Sequence, residues 1–162
     1  MFLSGSQLIG FGVGRGPRTL GSLITGGTNI GNMTLGGGLA ECFDGNTSNA
    51  GGYTTTDPAY VGKTIAKRVF SAIWWGASPQ GVIQDANPSA TITLYGKTGF
   101  APSTATNGTA IGSTTFTDDT LNTQHPITST DNETLWDHVW CTVTAVGGVE
   151  RRCAELQMYE SV

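Results

Sequence analysis

From about Thr28 to the C-terminus, short apolar or alternating runs are cut off again and again by clusters of Gly, Pro, Asn and Asp. Such punctuation leaves little room for an amphipathic helix of several turns, and it is the pattern of a β-sandwich or barrel. The runs that read as strands are Leu39–Phe43, Tyr60–Ala66, Arg68–Trp75, Ala90–Tyr95, Thr109–Thr117, Leu135–Val146 and Val149–Tyr159. Between them lie loops such as GASPQG, DANPS and GKTGFAPSTATNG, and the long stretch Asp118–Thr134. Composition agrees, because charged residues are only 12% of the chain and Thr, Ser and Asn, which compete for backbone hydrogen bonds inside helices, supply the polarity instead. A chain of 162 residues without an internal repeat suits one domain.

The last two runs meet at Val146-Gly147-Gly148-Val149, which reads as a two-residue hairpin loop. In that register Val139 faces Leu156 and Cys141 faces Ala154. One side of the ribbon then collects Val139, Cys141, Val143, Ala145, Ala154, Leu156 and Met158 as a core face, and the other collects Trp140, Thr142, Cys153, Glu155 and Gln157. Cys141 and Cys153 fall on opposite faces, so no disulfide is expected between them. Residues 1–27, Gly-rich and without a sustained period, read as an N-terminal arm before a domain over 28–162. Ordering glycines costs more entropy than the scattered apolar side chains return. The arm is therefore expected to attach the domain to a larger assembly by lending a strand to a neighbour, and its deletion to leave a folded domain. The alternative is an extra edge strand along its own domain.

A formal net charge of −4 speaks against a nucleic-acid partner, since phosphate binding needs clustered Lys and Arg. Lys67-Arg68, the nearest approach to a cluster, reads as a solvated strand end. The opening MFLSGSQLIGFGVGRG has neither the basic region nor the unbroken apolar stretch of a signal peptide. No run approaches the roughly 18 apolar residues of a membrane span. Synthesis in a cytoplasm without membrane insertion is the expectation, and the sequons at Asn32, Asn46, Asn107 and Asn132 then carry no meaning as glycan acceptors. Three cysteines without a CxxC or Cys/His spacing read as reduced, structural thiols.

Catalytic machinery is hard to assemble from this chain. Its two histidines are His125, before Pro126 in a loop, and His138, in the strand WDHVW beside Gln157 with Asp137 pointing the other way. GFGVGRG lacks the third glycine and the following helix of a dinucleotide loop. Asp118-Asp119 read as solvated turn residues. A small hydrolase would need a convergent His, acid and nucleophile, so the chain is expected not to be an enzyme.

The segments LAECFDGNTSNAGGY, AYVGKTIA, LYGKTGFAP, WDHVW and CAELQMYE, in that order, resemble the discoidin-like (coagulation-factor C-type, galactose-binding-like) domain over residues 28–162. More narrowly, the FGVG start, YVGKT, DHVW and the closing AELQ look like small virion accessory or fibre proteins of tailed bacteriophages. The family implies an all-β fold, an eight-stranded jelly-roll β-sandwich whose loops at one end bind sugars, lipids or protein. Many members hold a structural Ca²⁺ near the Asp-Gly turn, with the Glu of the closing strand as a ligand. Those positions fall here at Asp44 and Glu155, with backbone carbonyls near Asn46 and Ala154, an oxygen-only set that suits Ca²⁺. The Thr and Trp usual after Asp-Gly are replaced by Asn49 and Gly51-Gly52, and the alternative is that Asp44 closes an Asx-turn while Glu155 is a surface strand residue. With or without metal, the jelly roll should bring Asp44 and Glu155 together.

For a sugar site the aromatic candidates are Trp74 and Trp75 before GASPQG, with Tyr53, Phe100 and His125 from neighbouring loops. Adjacent strand residues point to opposite faces, so one of Trp74 and Trp75 belongs in the core. The resulting expectation is a non-catalytic bacteriophage virion protein, a head decoration or a tail or fibre module. It would be multi-copy or a homo-oligomer, joined to other capsid or tail proteins through its arm, with adhesion to a host-surface glycan as a further role. The alternative is a carbohydrate-binding module acting in polysaccharide recognition.

Overall fold

A computed structural model describes residues 17–78, 81–84, 89–117, 123–146 and 150–162. Two antiparallel sheets face one another. The first orders β1 (Leu20–Leu23), β12 (Glu155–Ser161), β6 (Val69–Trp75) and β9 (Gln124–Thr128). The second orders β2 (Thr28–Gly31), β5 (Ala59–Lys67), β10 (Trp136–Val146), β7 (Ser89–Lys97) and β8 (Thr109–Thr117). A small third sheet of β11 (Arg151–Cys153), β4 (Gly52–Thr54) and β3 (Leu35–Gly36) lies at the end where β5 begins.

Alternation along each strand builds the core. Ala72, Trp74, Ile127, Leu156 and Met158 of the first sheet meet Val61, Ile92, Leu94, Val139, Cys141 and Val143 of the second, all buried. In β5 the same face carries Lys63 between Val61 and Ile65, a charged residue in an apolar row. Between β2 and β10 the backbones come so close at Gly62 that an added Cβ would stand 2.2 Å from the carbonyl oxygen of Val139 and 2.3 Å from Cβ of Trp140. Gly62→Ala is therefore expected to cost about 1–3 kcal/mol through overpacking, read as a lower urea midpoint at unchanged m. A variant as stable as the parent would mean that this approach is looser than described.

The expected ribbon of the last two strands does not form. β10 pairs with β5 on one side and β7 on the other, so both its edges are taken. After it, β11 pairs with β4, and β12 crosses to the first sheet to pair with β6 and β1. Gly147 and Gly148 lie outside the described residues. Alternation itself survives, because Val139, Cys141, Val143, Ala154, Leu156 and Met158 are all buried. The face expected to be outer is buried as well at Trp140, Thr142, Cys153 and Glu155. The loop after β7 folds over Trp140, whose Nε1 donates to the carbonyl of Ala105 at 2.6 Å and whose ring stacks on Tyr95 at 5.6 Å. The three cysteines are buried free thiols. With the ribbon gone, the expected register no longer accounts for Cys141 and Cys153 being unbridged.

Other segments differ too. Leu39–Phe43, read as a strand, is instead a helical turn, α1 (Gly38–Glu41), followed by Cys42. Leu39, Cys42 and Phe43 are spaced as one helical face, and all three pack on the core. The stretch read as the loop Asp118–Thr134 contains β9, where His125 faces Trp74 across the pair with β6. Residues 1–16 lie outside the described residues, whereas Leu20–Leu23 pair with β12 and Ile24 enters the core at 8% exposure. The edge-strand alternative therefore holds for Leu20–Leu23, because β12 has an open edge there and Ile24 an apolar slot beyond it.

Candidate functional site

At the end of the sandwich where β5 stops and β1 turns toward β2, the surface opens into a cleft of about 780 Å³. Leu23, Ile24 and Ile65 supply an apolar wall, and Lys67, Asp137 and Glu160 bring charge to it. Lys67 Nζ donates to both carboxylate oxygens of Glu160 at 3.1 Å across the gap between the two sheets. The opposite rim is the tip of the loop after β7. There Gly99 N–H donates to Asp137 Oδ2 at 2.7 Å, while His138 Nε2–H donates to the carbonyl of Gly99 at 2.9 Å. His138 Nδ1 lies 3.0 Å from Thr64 Oγ1, which ties the clamp to β5. Gly99 has φ +79, the left-handed conformation that lets the tip reverse. His138 thus neighbours Thr64 and Lys97, not Gln157, because β10 pairs with β5 and β7. Asp137 and His138, which strand alternation points apart, grip the same glycine.

Phe100 follows this clamped glycine and is 92% exposed, the one exposed aromatic among the described residues. The other aromatics proposed from sequence do not join it. Trp74 is wholly buried and donates to the carbonyl of Arg152 at 2.9 Å. His125 is buried against Phe116, ring centroids 4.1 Å apart, because it occupies an inward position of β9 and not a loop. Trp75 is half-buried at the far end of β6, its Nε1 3.3 Å from Gln157 Oε1. Tyr53 lies in the small third sheet under the Arg152 guanidinium, 4.5 Å from its ring. Trp74 and His125 are therefore core residues, and of the five only Phe100 is next in the chain to a residue that lines the cleft, Gly99. Sequence reasoning missed Lys67, Asp137 and Glu160 as a group, since sheet pairing alone brings them together.

Asp44 and Glu155 do come together, as the sequence suggests. Glu155 Oε2 accepts the Gly45 N–H at 3.0 Å, and burial pushes this carboxyl above its ordinary range, with the Asp44 charge adding to the rise and Lys63 opposing it. Glu155 is only 5% exposed, not a surface residue, because the turn at Asp44-Gly45 covers it. Asp44 itself closes the expected Asx-turn, Oδ1 accepting Asn46 N–H at 2.8 Å and Oδ2 accepting Asn49 Nδ2 at 3.1 Å. Ca²⁺ wants six to eight oxygens free to converge. The two carboxylates of the Asp44, Asn46, Ala154 and Glu155 set fit it poorly: oxygens of both already accept N–H donors, and a lysine lines the same cavity. Among the described residues no group of three or more His, Cys, Asp or Glu is placed to hold a metal.

No family model matches the chain, and no curated protein matches it in sequence. Solved structures do match. The CBM32 of AlyQ in complex with 4,5-unsaturated mannuronic acid superposes with a TM-score of 0.59 at 13% identity, covering 86% of this chain and 97% of that one. The family 32 carbohydrate-binding module of NanJ from C. perfringens, in complex with galactose, gives 0.56 at 19% identity over 82% and 93%. The fold is a discoidin-like jelly roll. A longer truncated AlyQ, carrying CBM32 and alginate lyase domains, matches at 0.60 and 11% identity over 90% of this chain, which spans about a third, 34%, of that protein. Identities this low speak for fold alone. Among the described residues the two main sheets of this jelly roll hold four and five strands, and the third sheet holds three.

Proposed function

We propose that this jelly roll is a non-catalytic glycan-binding module whose ligand enters the cleft between Phe100 and the Lys67–Glu160 pair. The observation that carries the reading is Phe100, a bare aromatic ring on the residue after Gly99, whose backbone the Asp137 and His138 bonds fix. A sugar offers an apolar ring face and a fringe of hydroxyls, and an aromatic platform beside charged hydrogen-bonding groups answers both. The carbohydrate-binding modules that share the fold support this reading over a purely structural role.

Phe100→Ala should weaken binding to a responsive polysaccharide by about tenfold or more, as loss of an aromatic anchor typically does. Its melting temperature should not move, since the ring makes no buried contact. Affinity electrophoresis against galactans and uronic-acid polymers, with a melt of each variant, reads both. If Trp75→Ala abolishes binding and Phe100→Ala does not, the site lies at the other end of the sandwich.

The resemblance of the FGVG, YVGKT, DHVW and AELQ segments to tailed-phage accessory proteins motivates a wider proposal. The module would be displayed in many copies on a virion, joined to capsid or tail proteins through residues 1–16, and its ligand would be a host-surface glycan. Deleting residues 1–16 should then leave glycan binding intact and abolish incorporation into particles; normal incorporation would refute the attachment.

A further inference from the structure

The buried lysine of β5 answers the question that the poor calcium fit leaves open. Lys63 is 6% exposed and occupies an inward position of the strand, where an apolar residue would normally stand. Its ammonium donates to Asn29 Oδ1 at 2.9 Å and lies 4.2 Å from the centroid of the Phe43 ring. Lys63 and Glu155 line one cavity of about 250 Å³, together with Asp44 and Gly45. Four segments distant in sequence converge there: the end of β1, the turn after α1, β5, and the start of β12.

A buried carboxylate with one N–H donor and a second carboxylate nearby needs positive charge, and either a metal ion or a side chain can supply it. We infer that Lys63 is the built-in cation of this domain, seated where its Asp44–Gly45 turn meets the closing strand, so that the turn is held without a divalent metal. Several features fit this role. The ammonium has one strong acceptor in Asn29, an aromatic face in Phe43, and two carboxylates within the same cavity. Burial lowers the Lys63 pKa and the Glu155 charge raises it again, as expected of mutually dependent charges. The assignment also gives Phe43 a purpose, since its ring forms the apolar lid of the ammonium site.

The test uses the intact protein first. Its melting temperature should be the same in millimolar EDTA and in millimolar CaCl₂, and calorimetric titration with CaCl₂ should give no saturable heat. A saturable Ca²⁺ response of the parent would overturn the inference. The second arm is a double-mutant cycle with Lys63→Met and Glu155→Gln. Removing the lysine charge alone should lower the melting temperature by about 5–10 °C, because the buried Glu155 carboxyl then loses the opposing charge of Lys63. Removing both charges should restore much of that loss. Strictly additive shifts would show that Lys63 and Glu155 do not serve one another, and would refute the assignment whatever the metal titration gives. Because the first arm needs no variant, a poorly folding mutant leaves the inference open to refutation.

Discussion

Trp74→Ala should cost about 3–5 kcal/mol, the usual range for removing a large aromatic from a packed core. Typical domains have only about 5–15 kcal/mol of stability in all, so much of the variant is expected to be unfolded or insoluble at 37 °C. Two losses combine. The indole fills the space between the two sheets beside Leu156, its register partner in β12, and its N–H serves the carbonyl of Arg152 at 2.9 Å. Trp75→Ala, one residue on, should cost less than half as much, because that ring is half-buried on the other side of β6 and bonds only a side chain. Urea unfolding of the two variants, followed by far-UV circular dichroism, separates them. Equal stabilities would show that the Trp pair is not split between core and outer face as described.

Removing residues 1–16 should leave the melting temperature unchanged, whereas removing residues 1–27 should lower it and make the domain self-associate. The longer deletion takes away Ile24, whose burial contributes about 1.5–3 kcal/mol. It also removes the Ile24 N–H bond to Met158 O at 2.8 Å and the reciprocal bonds between Thr19 and Val162 at 2.9 and 3.1 Å. The uncovered edge of β12 would then offer unpaired backbone groups to a second molecule. Melting curves and light scattering of the two truncations decide the matter. A 28–162 fragment that melts with the parent and stays monomeric would restore the whole of 1–27 as a detachable arm.

The candidate site was legible in pieces only. Phe100 stood out in sequence as an aromatic within a Gly/Pro loop, and the structure leaves it bare, one residue beyond Gly99 of the cleft. Trp74 and His125 carry the same chemical credentials, yet lie in the core. A ring's usefulness to a ligand depends on which way its strand faces and what covers it. For His125 the missing step was recognising Gln124–Thr128 as a strand, since Pro126 within it argues for an edge, and β9 is indeed the edge of its sheet. Lys63 was equally opaque. A lysine between Val61 and Ile65 reads as ordinary alternation gone wrong until Glu155, Phe43 and Asn29 are seen around it.

The amino-acid sequence by itself determined that this protein is all-β, where six of its strand segments run, and which residues of Trp136–Val146 and Glu155–Ser161 alternate toward a core. Those properties are local: turn residues stop a strand wherever they occur, and the pleat turns every second side chain to the same face. Only the tertiary structure decided that β10 pairs with β5 and β7 while β12 crosses to the other sheet, that Leu20–Leu23 closes an edge, and that Lys67, Glu160, Asp137 and Gly99 line one cleft. Strand partners are chosen by competition among all edges at once, and a strand with both edges taken cannot keep its chain neighbour as a hairpin partner. A Gly-Gly pair makes a hairpin possible, but the burial gained by inserting β10 into the middle of a five-stranded sheet prevails.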